Sequence, residues 1–298
     1  MELRLPSWLR RRSSFSRFGG SGFANSTLAE IAWQRARNAA RRWGIWGAIV
    51  GAVVGMIVFA PASWLARGVA AASGERVLLA DAQGSVWTGS AQLVLAGGPG
   101  SRDASVLPGR VNWELRPAWN RFELRLRQPC CLERDLIVQI RPGLGTMAFA
   151  LPGQTQAIGQ WPAAWLSGLG TPFNTLQLGG AMRLSTTGVT LESAQGRWRL
   201  IGSLDLDLLG VSSRLSTLDT LGSYRLGVRG GAAAGDTATV SLDTLDGALR
   251  LSGSGQWAGS KMRFRGEASA AQGQEAALNN LLNIIGRRQG AVSVISIG

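Results

Sequence analysis

A chain of 298 residues with 45% hydrophobic and 16% charged residues has ample apolar material for a core and is not a disordered polyampholyte. The net charge of +13 would raise nucleic acid as a partner, but nine arginines stand before Trp43 against only Glu2 and Glu30, a local balance of 9 minus 2, or +7; the remaining +6 is spread with no basic block or zinc-knuckle spacing, so no nucleic-acid partner is expected. Histidine is absent, which removes His-based triads, His metal ligands and His pH switches together.

Residues 1–42 form a basic segment rich in Arg, Ser and Gly, in which Thr27 and Glu30 have the spacing that opens a short helix. Its arginines suit anionic lipid headgroups. From Trp43 to Ala66 no residue is charged. At about 1.5 Å per helical residue this run reaches roughly 36 Å, enough to cross a hydrocarbon core of about 30 Å. Trp43, Trp46 and Trp64 lie near its ends, at headgroup level, and Pro61 lies near its exit, where a helix can break. The arginines before the run and the single Arg67 just after it place the N-terminus in the cytoplasm and residues 67–298 in the periplasm. Ala60-Pro61-Ala62 has the small-x-small spacing of a cleaved signal peptide, yet the 42-residue basic lead and the length of the apolar run favour an uncleaved anchor over residues 43–66. Gly47, Gly51 and Gly55 recur every fourth residue along one helical face. Such a face can serve as a seam for self-association or a partner helix; the alternative is the ordinary abundance of glycine in membrane helices.

Beyond the span, apolar and polar residues alternate. In Arg110–Arg116 the apolar set is Val111, Trp113 and Leu115; in Arg121–Arg127 it is Phe122, Leu124 and Leu126. This is the period of strands with one wet face, and Pro117–Asn120 reads as the loop of a hairpin joining them. Cys130 and Cys131 follow, adjacent and the only cysteines. In an oxidising compartment they form a disulfide, vicinal or between protomers, or else two buried thiols; two ligands are too few for a metal. The alternation recurs at Leu136, Val138 and Ile140, at Leu204, Leu206 and Leu208, at Tyr224, Leu226 and Val228, and at Met262 and Phe264. A pentad of Gly, any residue, apolar, Arg or Asn, apolar begins at Gly109, Gly180, Gly196, Gly222 and Gly247, as though glycine-marked turns launch strands. Helix is sparse. Trp161–Leu169 is a short candidate, and Gln274–Ile285 a better one, with Leu278, Leu281, Leu282 and Ile285 on one side and Gly286 as a stop. Its greasy side suits the role of a cap on the sheet. Ala291–Ile297 alternates again and is expected as an edge strand. The expected fold is mainly β: a single N-terminal transmembrane helix, then a curved antiparallel sheet or partial barrel with a short C-terminal helix.

Chemistry-bearing motifs are missing. Asp205 with Asp207, and Asp243 with Asp246, are close in sequence but make no metal cage, and solvated surface positions are the simpler reading. No Gly-x-Ser-x-Gly elbow, phosphate loop or dinucleotide fingerprint occurs, so neither an enzyme nor a cofactor site is expected. Twelve tryptophans invite a carbohydrate platform, but Trp87, Trp113, Trp198 and Trp257 follow glycine-rich turns in phase with apolar faces and read as core or rim packing.

Taken in order, these residues resemble the type II secretion system protein N family. The glycine-framed box Gly84-Ser85-Val86-Trp87-Thr88-Gly89 comes first, followed by Trp113 in Val111–Pro117. Later come Gly222 and Tyr224 in Leu221–Leu226, then Gly253, Gly255 and Trp257 in Gly247–Trp257, then Phe264-Arg265-Gly266 and the C-terminal helix end. The resemblance implies a non-enzymatic, bitopic component of the bacterial inner membrane. Such a protein assists export of folded periplasmic proteins across the outer membrane by contacts with other platform subunits and with inner-membrane lipids, and no catalytic residues carry over. The competing reading is a lipid-handling protein resembling the AsmA-like envelope family, whose curled sheet shields acyl chains. An apolar sheet face closed by the protein's own helix and tryptophans favours the scaffold; an open apolar trough favours lipid.

Overall fold

The computed structural model describes residues 41–194, 197–231, 236–258 and 261–298. The basic segment before Arg41, the helix start at Thr27 and the pentad glycine Gly196 lie outside these. The chain divides into two units, Met1–Val58 and Phe59–Gly298.

Within the described part of the first unit, Arg41–Val58 is one apolar helix, α1, with a mean hydropathy of 1.3. Its 18 residues extend about 27 Å. The uncharged run Trp43–Ala66 is not a single helix. It breaks at Phe59–Pro61, and Pro61 becomes the N-cap of a second helix, α2 (Ala62–Ala72), because a proline has no N–H for the preceding turn and its ring crowds the carbonyl there. Ala62–Ala66 therefore belong to the second unit, where Ala62 is fully buried.

The second unit is one open antiparallel sheet of sixteen strands among the described residues. Its first half contains β1 (Val77–Gly84), β2 (Thr88–Ala96), β3 (Ala104–Val106), β4 (Val111–Ala118), β5 (Arg121–Arg127), β6 (Leu136–Gly143), β7 (Thr146–Pro152) and β8 (Gly159–Pro162). A 3-10 helix (Ala163–Leu169) and the single turn α3 (Phe173–Leu176) follow. The rest is β9 (Leu178–Ala194), β10 (Arg197–Ser213), β11 (Gly222–Gly230), β12 (Thr239–Gly247), β13 (Leu249–Ala258), β14 (Lys261–Ala270), α4 (Glu275–Ile285), β15 (Arg287–Gln289) and β16 (Val292–Ile297). Strand order follows sequence order, except that β3 and β8 hang on β2 and β9 and the last two strands are exchanged. The C-terminal strand, expected at an edge, is inserted between β14 and the three-residue β15, which forms the edge instead. Its alternation could not reveal that a shorter strand would cover it. The candidate helix at Trp161–Leu169 is likewise part strand: Trp161 and Pro162 pair with β9 before the 3-10 turns begin.

The expected hairpin is present, with Trp113 opposite Leu126 and Ala118 opposite Arg121, so that only Trp119 and Asn120 form its tip. Paired residues share a face of a sheet. The pairs Trp113–Leu126–Leu136, Ile140–Phe149–Leu191–Leu200 and Leu208–Tyr224 thus trace one apolar face from end to end. Both helices of the domain lie on it. Ala62 and Leu65 of α2 pack against Ala91 and Trp113. Leu278, Leu281 and Leu282 of α4 pack against Val211, Tyr224, Leu249 and Ala268, as the periodicity of that helix predicts. Each of these buried leucines contributes about 1.5–3 kcal/mol. Between the helices, Val138, Ile140, Phe149 and Leu151 stay half-buried.

Candidate functional site

The motif residues fall into two groups, one built around Trp113 beneath α2 and one around Tyr224 beneath α4. In the first, β1 turns into β2 through Ser85, Val86 and Trp87, with Gly84 opposite Gly89. Gly84 has φ +89°, a conformation that side-chain-bearing residues rarely adopt. Ser85 closes the turn: its Oγ accepts hydrogen bonds from the backbone N–H of Trp87 (3.2 Å) and Thr88 (3.1 Å), and its own N–H donates to the Thr88 carbonyl at 2.8 Å. Trp113, 5% exposed, lays its ring on Gly89, where a Cβ would collide with it, and donates its Nε1–H to the Ser85 carbonyl at 3.1 Å. The same turn holds the chain that follows α1. Val86 N–H donates to the Ala60 carbonyl at 2.9 Å, Pro61 bridges to Ser85, and Ala62 seats against Trp113. The glycine-framed tryptophan box is therefore a clamp on Ala60–Ala62. The sequence carried no sign of this, since Ala60-Pro61-Ala62 resembles a cleavage motif.

In the second cluster Gly222 pairs with Gly247, so closely that a Cβ on Gly247 would meet the backbone of Gly222. Tyr224, 2% exposed, donates its phenol O–H to the Leu249 carbonyl at 3.0 Å. Phe264 lies over Gly253, Gly255 and Gly266, where added Cβ atoms would strike its ring or its own backbone. Trp257 pairs with Met262 beside the hairpin end and remains 44% exposed. Trp198 is 59% exposed for the same reason: both stand where strands end and no layer covers them. Of the four tryptophans read as core or rim, Trp113 is buried and Trp87 half-buried, with its ring centroid 6.4 Å from that of Phe122.

Burial pushes the Tyr224 phenol well above its ordinary value of 10.0, with a smaller contribution from Asp246. The unfolded chain loses this proton as pH passes about 10 while the folded chain keeps it, so the unfolded state then binds fewer protons and stability falls as pH rises. Below that window both states hold the proton and the phenol adds no pH dependence. Tyr224 is the only tyrosine, so tyrosinate absorbance reports it alone. We expect that absorbance to appear only as the protein unfolds at high pH. Tyr224→Phe should remove this part of the alkaline fall and cost about 1–2 kcal/mol in denaturant melts, because the Leu249 carbonyl loses its donor.

The remaining candidates do not converge on these clusters. Gly47, Gly51 and Gly55 lie on α1, and a Cβ at any of them would meet nothing within 4 Å. Cys130 and Cys131 lie between β5 and β6 with their sulfurs at bonding distance; Cys131 is buried and its carbonyl accepts from Gln160 N–H at 2.8 Å. Asp205 and Asp207 are not simply solvated. Asp207, 7% exposed, forms a two-point ion pair with Arg225 on the neighbouring strand (2.7 and 3.0 Å), and Arg229 Nη2 reaches Asp205 Oδ1 at 2.8 Å. Sequence spacing could not show this, because Asp207 meets Arg225 only through the β10–β11 register. Among the described residues no three His, Cys, Asp or Glu side chains gather as metal ligands. A recess of about 660 Å³ between the Arg102–Ala104 loop and the β9–β10 ends holds Asp103, tied to Asn174 Nδ2 at 3.0 Å, with Arg102, Arg214 and Asp219 also in its lining.

No curated protein and no solved structure matches the chain. A family model does, that of type II secretion system protein N, over residues 75–295, from just before β1 into β16. That match takes in both motif clusters and well over half of the sequence, and so the chain belongs to the type II secretion system protein N family.

Proposed function

We propose that this secretion-system component is a non-enzymatic scaffold of the inner membrane, with residues 1–42 cytoplasmic, the apolar segment crossing the bilayer and the β domain in the periplasm. The crossing is supported by the length and hydropathy of α1 and by nine arginines before Trp43 against Arg67 just after the run. The observation that carries the scaffold role is that Trp113 is buried beneath α2 and Tyr224 beneath α4. These two motif side chains thus hold the domain's shape. What the domain offers to other platform subunits is surface and sheet edge. The Gly47, Gly51, Gly55 face offers a seam for self-association in the membrane. Cys130 and Cys131 are proposed to be oxidised there.

One observation favours the lipid-handling alternative: the half-buried apolar side chains of β6 and β7, which lie between the two covered ends of the face. Deleting the gene and assaying the culture medium separates the two. The scaffold predicts that normally secreted enzymes accumulate in the periplasm, with export restored by the intact chain. Normal export together with altered envelope permeability to lipophilic compounds would refute the scaffold in favour of lipid handling.

A further inference from the structure

Adjacent strands run antiparallel, so their turns fall alternately at two ends of the sheet. The tips joining β1–β2, β4–β5 and β6–β7 share one end with the last residues of β9 and β13 and the first of β10 and β14. That end is also where the chain enters the domain. Ala60 is bonded to Val86 at the first tip, and α2 then runs down the sheet to Ser73, whose Oγ accepts from Val77 N–H at 3.1 Å where β1 begins.

The same end carries most of the domain's exposed large apolar side chains. Trp119 and Leu144 occupy two-residue turns, positions that turn chemistry ordinarily gives to polar residues, and are fully exposed at 103% and 105%. Thr146, beside Leu144, pairs with Ala194, which sets the β6–β7 tip beside the end of β9. Trp64, Met147, Trp198 and Trp257 stand exposed at or near this end. The exposed large apolar residues toward the opposite end are Val106, Leu245 and Ile284, none aromatic, and its loops carry charges such as Glu133–Asp135 and Arg214.

We propose that this end of the sheet dips into the interfacial layer of the bilayer that α1 enters, so that the β domain rests on the lipid surface through Trp119, Leu144, Trp198 and Trp257. Indole rings favour the headgroup level, and Trp119, Leu144, Trp198 and Trp257 are spaced along one end of the sheet, as resting on a lipid surface requires. The entry of the chain at the same end selects lipid over a protein partner, because Ala60 follows α1 after a single intervening residue. The inference rests on the reading of α1 as a membrane span.

The test uses the full chain in bilayer nanodiscs of phosphatidylethanolamine and phosphatidylglycerol. Cys130 and Cys131 are changed to Ser, and an environment-sensitive fluorophore is placed by Trp119→Cys, Leu144→Cys, Ile284→Cys or Val53→Cys. With nitroxide on the upper acyl chain, quenching at 119 and 144 should exceed that at 284 several-fold. Quenching at Val53 with none at 119 and 144 overturns the inference and spares the span; no quenching at Val53 overturns both. Shielding at 119 and 144 only when other secretion subunits are present overturns it in favour of a protein partner. Should the cysteine-free chain fail to fold, brominated lipid serves with the natural sequence. Trp119→Phe must then lower the quenched share of tryptophan emission, and an unchanged share overturns the inference.

Discussion

Replacing Trp113 by alanine is expected to lower the unfolding free energy by about 3–5 kcal/mol, the range for emptying a buried aromatic site. The loss has three parts. The indole is 5% exposed, it covers Gly89, and its Nε1–H holds the Ser85 carbonyl that closes the first hairpin. With the ring gone, Ala62 and Ala91 face a void that these small, backbone-fixed neighbours cannot fill. Urea melts followed by circular dichroism on detergent-solubilised protein give the number. Trp119→Ala is the control: that side chain is fully exposed, and its removal should change stability by no more than about 0.5 kcal/mol. Equal losses from the two substitutions would mean that the tryptophan box is not the structural clamp described above.

A second large effect is expected for Leu281→Asp. Leu281 is 1% exposed and sits with Leu278 and Leu282 against Val211, Tyr224 and Ala268, an apolar lining. Loss of the apolar transfer amounts to about 2–3 kcal/mol, and the stranded charge adds to it. A total of at least about 4 kcal/mol would release α4 from the sheet. Limited proteolysis should then cut near residues 271–286 in the variant and not in the parent. Ile284→Asp on the same helix, 48% exposed, should leave this region protected. Cleavage in both variants would show that α4 is not held by its leucine face.

Much of this architecture was legible from period alone. The Val111, Trp113, Leu115 and Phe122, Leu124, Leu126 sets became β4 and β5, because a strict period of two can bury only one face of a strand. Leu278, Leu281 and Leu282 became the buried stripe of α4 for the corresponding helical reason. What periodicity cannot encode is who lies opposite whom. The Asp207–Arg225 pair, the placing of β16 inside β15 and the glycine floor beneath Phe264 all depend on register across strands. Hydropathy likewise runs past Pro61, because Ala62–Ala66 carry no charge and only the break in helix shows that they belong with the second unit as the start of α2. Trp113 and Trp257 look alike in sequence and differ in burial, since one lies beneath α2 and the other near the end of its strand.

Because nearly every strand bonds to the one just before it, the chain can build its sheet in the order in which its residues become available, each new ribbon finding a free edge already laid. Such nearest-neighbour connectivity keeps the closing of long loops out of the early steps, which favours rapid assembly and shortens the exposure of bare edges. β3 and β8, which hang on β2 and β9, and the β15–β16 hairpin depart from this pattern: β16 bonds to β14 on one side and to the three-residue β15 on the other.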